Sequence, residues 1–327
     1  MCLSVVIPCY NVEQYLAQCL DSVLIQNAFS GELICVNDGS TDSTFAILDE
    51  YAARYANLIV LSQQNAGLSA ARNTGLRHAK GDYVYFLDSD DYLYSDVLQN
   101  IVSIAEREEL EILAMSVLKD GVTPYFNQDL RIDGVVNGKD YIKQFYASCG
   151  FAYQAPVWMY LYKREFLLQH SLFFKEGFLH EDEDFTPRAL VACERMMLWN
   201  EAVQYHRVKR EGAITSVVTR KHLRDIVRIL AGLVAELLPT IEGEECEQIL
   251  RNNFGQLYLT TMLDAEKNDI RISDCFAKTD WALWESCAST DFERRIVCLA
   301  RCCPAVAAAY YRNEMPTWLR KVINRVI

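Results

Sequence analysis

The strongest constraint on the fold lies in the first 117 residues, where short apolar, β-branched runs alternate with longer amphipathic stretches. Runs at Leu3 to Cys9, Leu33 to Val36, Leu58 to Leu61, Tyr83 to Leu87 and Ile112 to Val117 have the length and residue types of buried strands. Between them Tyr15, Leu16, Cys19, Leu20, Val23 and Leu24 fall on one helical face, and Ser43 to Tyr55 and Leu68 to His78 read as two further helices. This alternation predicts an α/β fold with a mostly parallel sheet flanked by helices. Beyond Gly121 the pattern weakens; after about Thr219 it turns helical, with Leu223, Ile226, Val227, Ile229, Leu230 and Leu233 at helical spacing. The expected organisation is a first domain over 1–218 and a helical C-terminal region over 219–327, a candidate surface for acceptor, oligomer or membrane contact.

Apolar residues make up 51% of the 327, enough for a substantial core. The formal net charge of −12 opposes general affinity for nucleic acid, whose phosphates favour basic surfaces. From Arg294 to Ile327, however, seven basic residues face one acid, and Trp318, Leu319, Val322, Ile323, Val326 and Ile327 recur at helical spacing. Such a tail suits either a peripheral anionic membrane surface or a helix docked on its own domain or on a second copy. Cysteines inside apolar runs, such as Cys9 and Cys35, and the lack of paired C-x-x-C sets favour reduced thiols and a cytoplasmic protein. Neither a signal peptide nor a membrane-spanning run is apparent, the latter needing about 20 apolar residues.

In an open α/β sheet, ligands bind beyond the carboxyl ends of the strands. Three such points are unusually polar: Pro8-Cys9-Tyr10-Asn11, Asn37-Asp38-Gly39-Ser40-Thr41-Asp42 and Asp88-Ser89-Asp90-Asp91. Three carboxylates within four residues repel one another unless a cation lies among them, and a hard divalent ion with oxygen ligands answers that need. A solvated turn before a helix starting near Ser95 accounts for the same residues. Asp38 can likewise accept from a base N–H or simply shape a turn. The acidic run Glu181 to Asp184 is open to the same two readings, reactive carboxylates or a helix N-terminus.

Val5-Val6-Ile7-Pro8-Cys9-Tyr10-Asn11, Val36 to Asp42, Asn65 to Gly75 and Phe86-Leu87-Asp88-Ser89-Asp90-Asp91 resemble four successive signatures of family-2 glycosyltransferases with a GT-A fold, a Rossmann-like type. A fifth element, Phe174 to Phe185, is similar to the family's later Glu-Asp pair. The resemblance implies an inverting, metal-dependent transferase that moves a sugar from a nucleotide-sugar donor, a UDP-sugar, to a hydroxyl of a glycan or lipid-linked acceptor. It implies that Pro8, Tyr10 and Asp38 line the base pocket, that Arg72 lies near the nucleotide, that Asp88 faces the ribose and that Asp90 holds Mn²⁺ or Mg²⁺. Asp182 takes the position of the base, with Glu181 beside it on the acceptor side. Arg207 or Arg210 is placed to neutralise diphosphate, and Trp158 to stack on an acceptor sugar. His206 stands where the family more often has an aromatic residue. Two rivals remain: a metal-dependent nucleotidyltransferase, opposed by the lack of an early Gly-rich basic loop, and a binding relative without catalysis.

Overall fold

The computed structural model describes residues 3–26, 31–125, 130–208, 217–288, 290–312 and 314. The chain divides into two compact units, 1–210 and 211–327. In the first, strands and helices alternate as β1 (Leu3–Cys9), α1 (Leu16–Leu24), β2 (Glu32–Asn37), α2 (Thr44–Arg54), β3 (Leu58–Ser62), α3 (Leu68–His78) and β4 (Tyr83–Phe86). There follow β5 (Tyr92–Leu93), α4 (Val97–Arg107), β6 (Ile112–Lys119), β7 (Thr123–Pro124), α5 (Gly138–Cys149), β8 (Tyr160–Lys163), α6 (Arg164–Gln169), α7 (Glu181–Ala192) and β9 (Met196–His206).

Among the described residues the strands form one nine-stranded sheet in the order β3-β2-β1-β4-β8-β6-β9-β5, with β7 on β6. The first four strands pair in parallel, as the alternation requires. Beyond β4 the expectation of a mostly parallel sheet gives way to a mixed one: β8 is antiparallel to both β4 and β6, β9 is parallel to β6, and β5 is antiparallel to β9. The long connection through α5 lets β8 enter from the opposite end, a freedom that a short crossover helix does not give.

β1 and β2 are buried along their whole length, as strands covered on both faces should be. Helix α3 packs closely on this floor because Gly75 offers no side chain: a Cβ there would stand 2.3 Å from Val6 Cγ1. That close approach sets the height of α3 above β1, and with it the position of Arg72 one turn earlier. The chain order 3-2-1-4 reverses direction between β1 and β4, so their carboxyl ends open a crevice at the switch point.

The second unit is helical among its described residues: α8 (Arg220–Gly232), α9 (Glu245–Lys267), α10 (Lys278–Cys287), α11 (Asp291–Cys302) and α12 (Pro304–Tyr311). Its core gathers Tyr258, Phe276, Trp281 and Trp284 in mutual ring contact. The described part of the basic tail meets acids locally, Arg294 with Asp291, Arg301 with Glu285, and Arg312 with Glu266 and Glu314. Its excess charge is therefore less of a free field than the residue count suggests. The expected terminal helix from Trp318 to Ile327 lies outside the described residues. No helix among the described residues is long and apolar enough to cross a membrane.

The Gly75–Val6 contact gives a direct test of the packing. Gly75→Ala should destabilise the protein by roughly 1–3 kcal/mol, the usual cost of overpacking, measured by urea unfolding.

Candidate functional site

The crevice is bounded by the segments after β1, β2 and β4 and by the N-terminus of α7. Asp38, 3% exposed, is bound to the loop before α3: its Oδ1 accepts from Gln63 Nε2 (2.8 Å) and the Ala66 amide (2.9 Å), its Oδ2 from the Gly67 amide (2.9 Å). Gly39, at φ 73°, passes so near this loop that a Cβ would lie 2.8 Å from the Asn65 nitrogen. The glycine serves a close backbone crossing, and the carboxylate keeps about one of its four acceptor sites for something else. Pro8 is buried in β1 and Tyr10, just past its end, is 48% exposed at the rim.

At the centre stands Arg72, 1% exposed, carried on α3. Its Nη2 donates to Asp88 Oδ1 at 2.7 Å, and its Nη1 donates to Glu181 Oε1 at 2.6 Å and Asp182 Oδ1 at 2.9 Å. One guanidinium thus joins the carboxylate after β4 to two carboxylates on the first turn of α7, which lie more than a hundred residues from Arg72 in sequence. Burial alone would lower the Arg72 pKa; Asp182, Asp88 and Glu181 together hold it above its ordinary value, so the group stays charged. For Asp182 burial is the largest influence and raises its pKa to about 8; Arg72 opposes the rise, and the charges of Glu181 and Asp88 add to it. Glu181 is raised too, by burial first. Glu183 faces the Tyr153 hydroxyl and is pushed up to about 7 by burial. The acidic turn is thus both a helix N-terminus and a place where burial raises the proton affinity of Asp182, Glu181 and Glu183.

The three aspartates after β4 do not share one space. Asp88 turns to Arg72. Asp91, 1% exposed, turns the other way and accepts from Gln204 Nε2 (2.7 Å), His206 Nδ1 (2.8 Å) and the Arg207 amide (2.8 Å). Asp90 lies between them, half-buried. The repulsion expected within the run is therefore relieved largely by protein partners, a guanidinium for Asp88 and the end of β9 for Asp91. Among the described residues no group of three or more His, Cys, Asp or Glu side chains is placed to hold an ion unaided.

Trp158, expected on the acceptor side, is only 4% exposed; its ring stacks on His206 at 4.7 Å and meets the edge contact of Tyr125 at 4.9 Å. The ring is a buried support beneath the imidazole, and offers no open face to a sugar. Glu181, also expected there, is 8% exposed and bound to Arg72. Arg210 lies outside the described residues. The sequence placed Asp91 only within the acidic run, with no partner of its own, and did not single out Gln204. The available signal was weak: polar residues at the alternating positions 204 and 206 of a strand that also carries Asn200 and Glu201.

A family model described as glycosyl transferase family 2 matches residues 4–171. Among curated proteins, the chain is 34% identical over 208 residues to the uncharacterised glycosyltransferase EpsJ of Bacillus subtilis, covering 63% of this chain and 60% of that one. It is 31% identical over 232 residues to the glycosyltransferase GlyA of Streptococcus pneumoniae, covering 69% of this chain and 33% of that one. The matches thus span between a third and three fifths of these relatives. Among solved structures, the crystal structure of S. aureus TarS 1-349 superposes with a TM-score of 0.73 at 20% identity, covering 97% of this chain and 93% of that one. The same TarS fragment has been crystallised with UDP-GlcNAc.

A raised folded-state pKa means that Asp182 contributes stability that is present below the ordinary carboxylate value of 3.8 and lost as the pH rises through about 8. Ligand-free protein should therefore lose stability across that window, and Asp182→Asn should flatten the slope. Arg72→Met, which leaves three carboxylates without their cation, should steepen it and cost roughly 3–5 kcal/mol near the alkaline end. Urea unfolding across a pH series reads all three.

Proposed function

The chain belongs to glycosyl transferase family 2 and has the GT-A fold, and from that premise we propose that it moves a sugar from a UDP-sugar to a hydroxyl of a glycan or lipid-linked acceptor in polysaccharide assembly, with inversion. The observation that carries the reading is the Arg72 bridge, which brings the carboxylate after β4 and the first turn of α7 to one crevice. A UDP donor draws support from the S. aureus TarS fragment, crystallised with UDP-GlcNAc and alike in fold.

In this reading Pro8 and Tyr10 hold the base, and the remaining acceptor site of Asp38 takes its N–H. Asp88, anchored by Arg72, faces the ribose. The donor set suits a hard divalent ion: Asp90 offers half-buried carboxylate oxygens, and Mg²⁺ or Mn²⁺ is commonly held by one or two carboxylates with phosphate oxygens completing the shell. Such an ion would neutralise charge on the departing diphosphate. Asp182 is the general base, taking the proton of the incoming hydroxyl opposite the donor. Burial and the neighbouring carboxylates give it the proton affinity the task requires, near 8 where an ordinary aspartate is a weak base at 3.8. Arg72 holds one of its oxygens and the Val157 amide reaches the other at 3.3 Å, fixing its plane. Glu181 is a partner of Arg72 here, not an acceptor contact.

Asp182→Asn should retain UDP binding and lose transfer by about 10²–10⁴-fold, the usual share of a general base. In the unaltered enzyme kcat/KM should rise with pH as Asp182 loses its proton, levelling above about 8. Screening UDP-sugars for UDP release, with and without chelator, measures the donor and the metal requirement together; turnover that ignores the chelator would exclude the ion.

A further inference from the structure

The end of β9 makes two attachments to the loop that carries Asp90, and neither belongs to the donor or base machinery described above. The first is Asp91, whose buried carboxylate accepts from Gln204, His206 and the Arg207 amide within 2.7–2.8 Å. With three donors taken up inside the protein, this aspartate ties strand to loop. The second is the Arg207 side chain. Its Nε donates to the Asp90 carbonyl at 3.1 Å, its Nη2 to Gln18 Oε1 at 3.1 Å, and its guanidinium lies 4.9 Å from the centre of the Tyr15 ring. A planar, forked cation suits this task, since it can bond along its edge while an aromatic ring covers its face. Asp90 is therefore held by its own carbonyl and through the residue after it, while α1 fixes the far end of the arginine.

We propose that Arg207 is a positioning residue for the divalent ion: it sets the backbone from which Asp90 reaches the metal, and touches neither ion nor donor. The proposal rests on the reading of Asp90 as the metal carboxylate. It also separates Arg207 from the diphosphate-neutralising role its charge suggests, because its Nε and Nη2 donors are directed at Asp90 and Gln18. Residues that orient a metal ligand commonly carry 10–100-fold in metal affinity without contacting the metal.

The test is Mn²⁺ binding to the protein saturated with UDP, followed by electron paramagnetic resonance of free Mn²⁺, alongside UDP affinity in EDTA and thermal unfolding. Arg207→Ala and Arg207→Lys should both weaken Mn²⁺ by about 10-fold or more, leave UDP affinity in EDTA unchanged and keep a cooperative melt. Lysine keeps the charge but not the fork, so recovery of wild-type Mn²⁺ affinity in Arg207→Lys would overturn the proposal. So would loss of UDP affinity in EDTA, which marks a direct diphosphate contact. Gln18→Ala, at an exposed position, releases the same guanidinium and should shift Mn²⁺ affinity in the same direction by less; no shift there would also count against the proposal, even if the Arg207 variants fail to fold. Asp90→Asn separates the two readings. If it loses Mn²⁺ while Arg207→Ala does not, positioning is wrong and the metal assignment stands; if it keeps Mn²⁺, the metal assignment itself falls.

Discussion

A guanidinium withdrawn from water has to be answered by negative charge, and Arg72 is answered by three carboxylates from two distant parts of the chain. Burial first, and then the excess of acid over base, sets the proton affinity of Asp182. With one carboxylate the result would be a neutral structural ion pair, whose net contribution to stability is often small. With three, the cluster keeps excess negative charge inside the protein, and burial together with that excess raises Asp182 to about 8 and shifts Glu181 upward. A carboxylate forced to hold its proton near neutrality is also one that can accept a proton there. The energetic cost and the proposed basicity have the same origin.

That arrangement depends on the sheet. Arg72 reaches the α7 carboxylates only because α3 lies close on β1, and α3 lies close because Gly75 leaves room for Val6. The Asp38 carboxylate, by fastening the Gln63 to Gly67 loop, fixes where α3 begins. Two glycines and one aspartate, Gly39 and Asp38 at the loop before α3 and Gly75 against the Val6 side chain, thus place the arginine that organises the crevice. Conserving charge alone at position 72 would not reproduce it, since the three partners sit around a fork with fixed directions.

The parallel half of the fold was legible because its determinants are local: short continuous apolar runs and helical spacing mark β1 to β4 and α1 to α3 to within a residue or two. The mixed half was not, because antiparallel insertion of β8 depends on the path of a long connection, which no short window records. The site divides in the same way. Asp88, Asp90 and Asp182 stand out within their own segments, and the family resemblance supplied their roles. Asp91 was read as part of the same acidic run, yet its partners Gln204 and His206 lie more than a hundred residues on. Trp158 shows the converse: a large aromatic at a promising place in the sequence, covered by His206 in space.

The run Asp88 to Asp91 shows why density of charge is a poor guide to where charge collects. Consecutive residues leaving a strand diverge, so neighbours in sequence can face different sides of a loop. Here one carboxylate goes to α3, one is locked to β9, and the half-buried Asp90 lies between them. The flanking partners take up the hydrogen-bonding capacity of the outer aspartates and hold the loop from both sides. An ion placed at Asp90 would then meet a carrier already fixed, with less to organise on arrival. The outer carboxylates would serve metal binding by stiffening the segment between them, which a cluster of three equivalent ligands could not do.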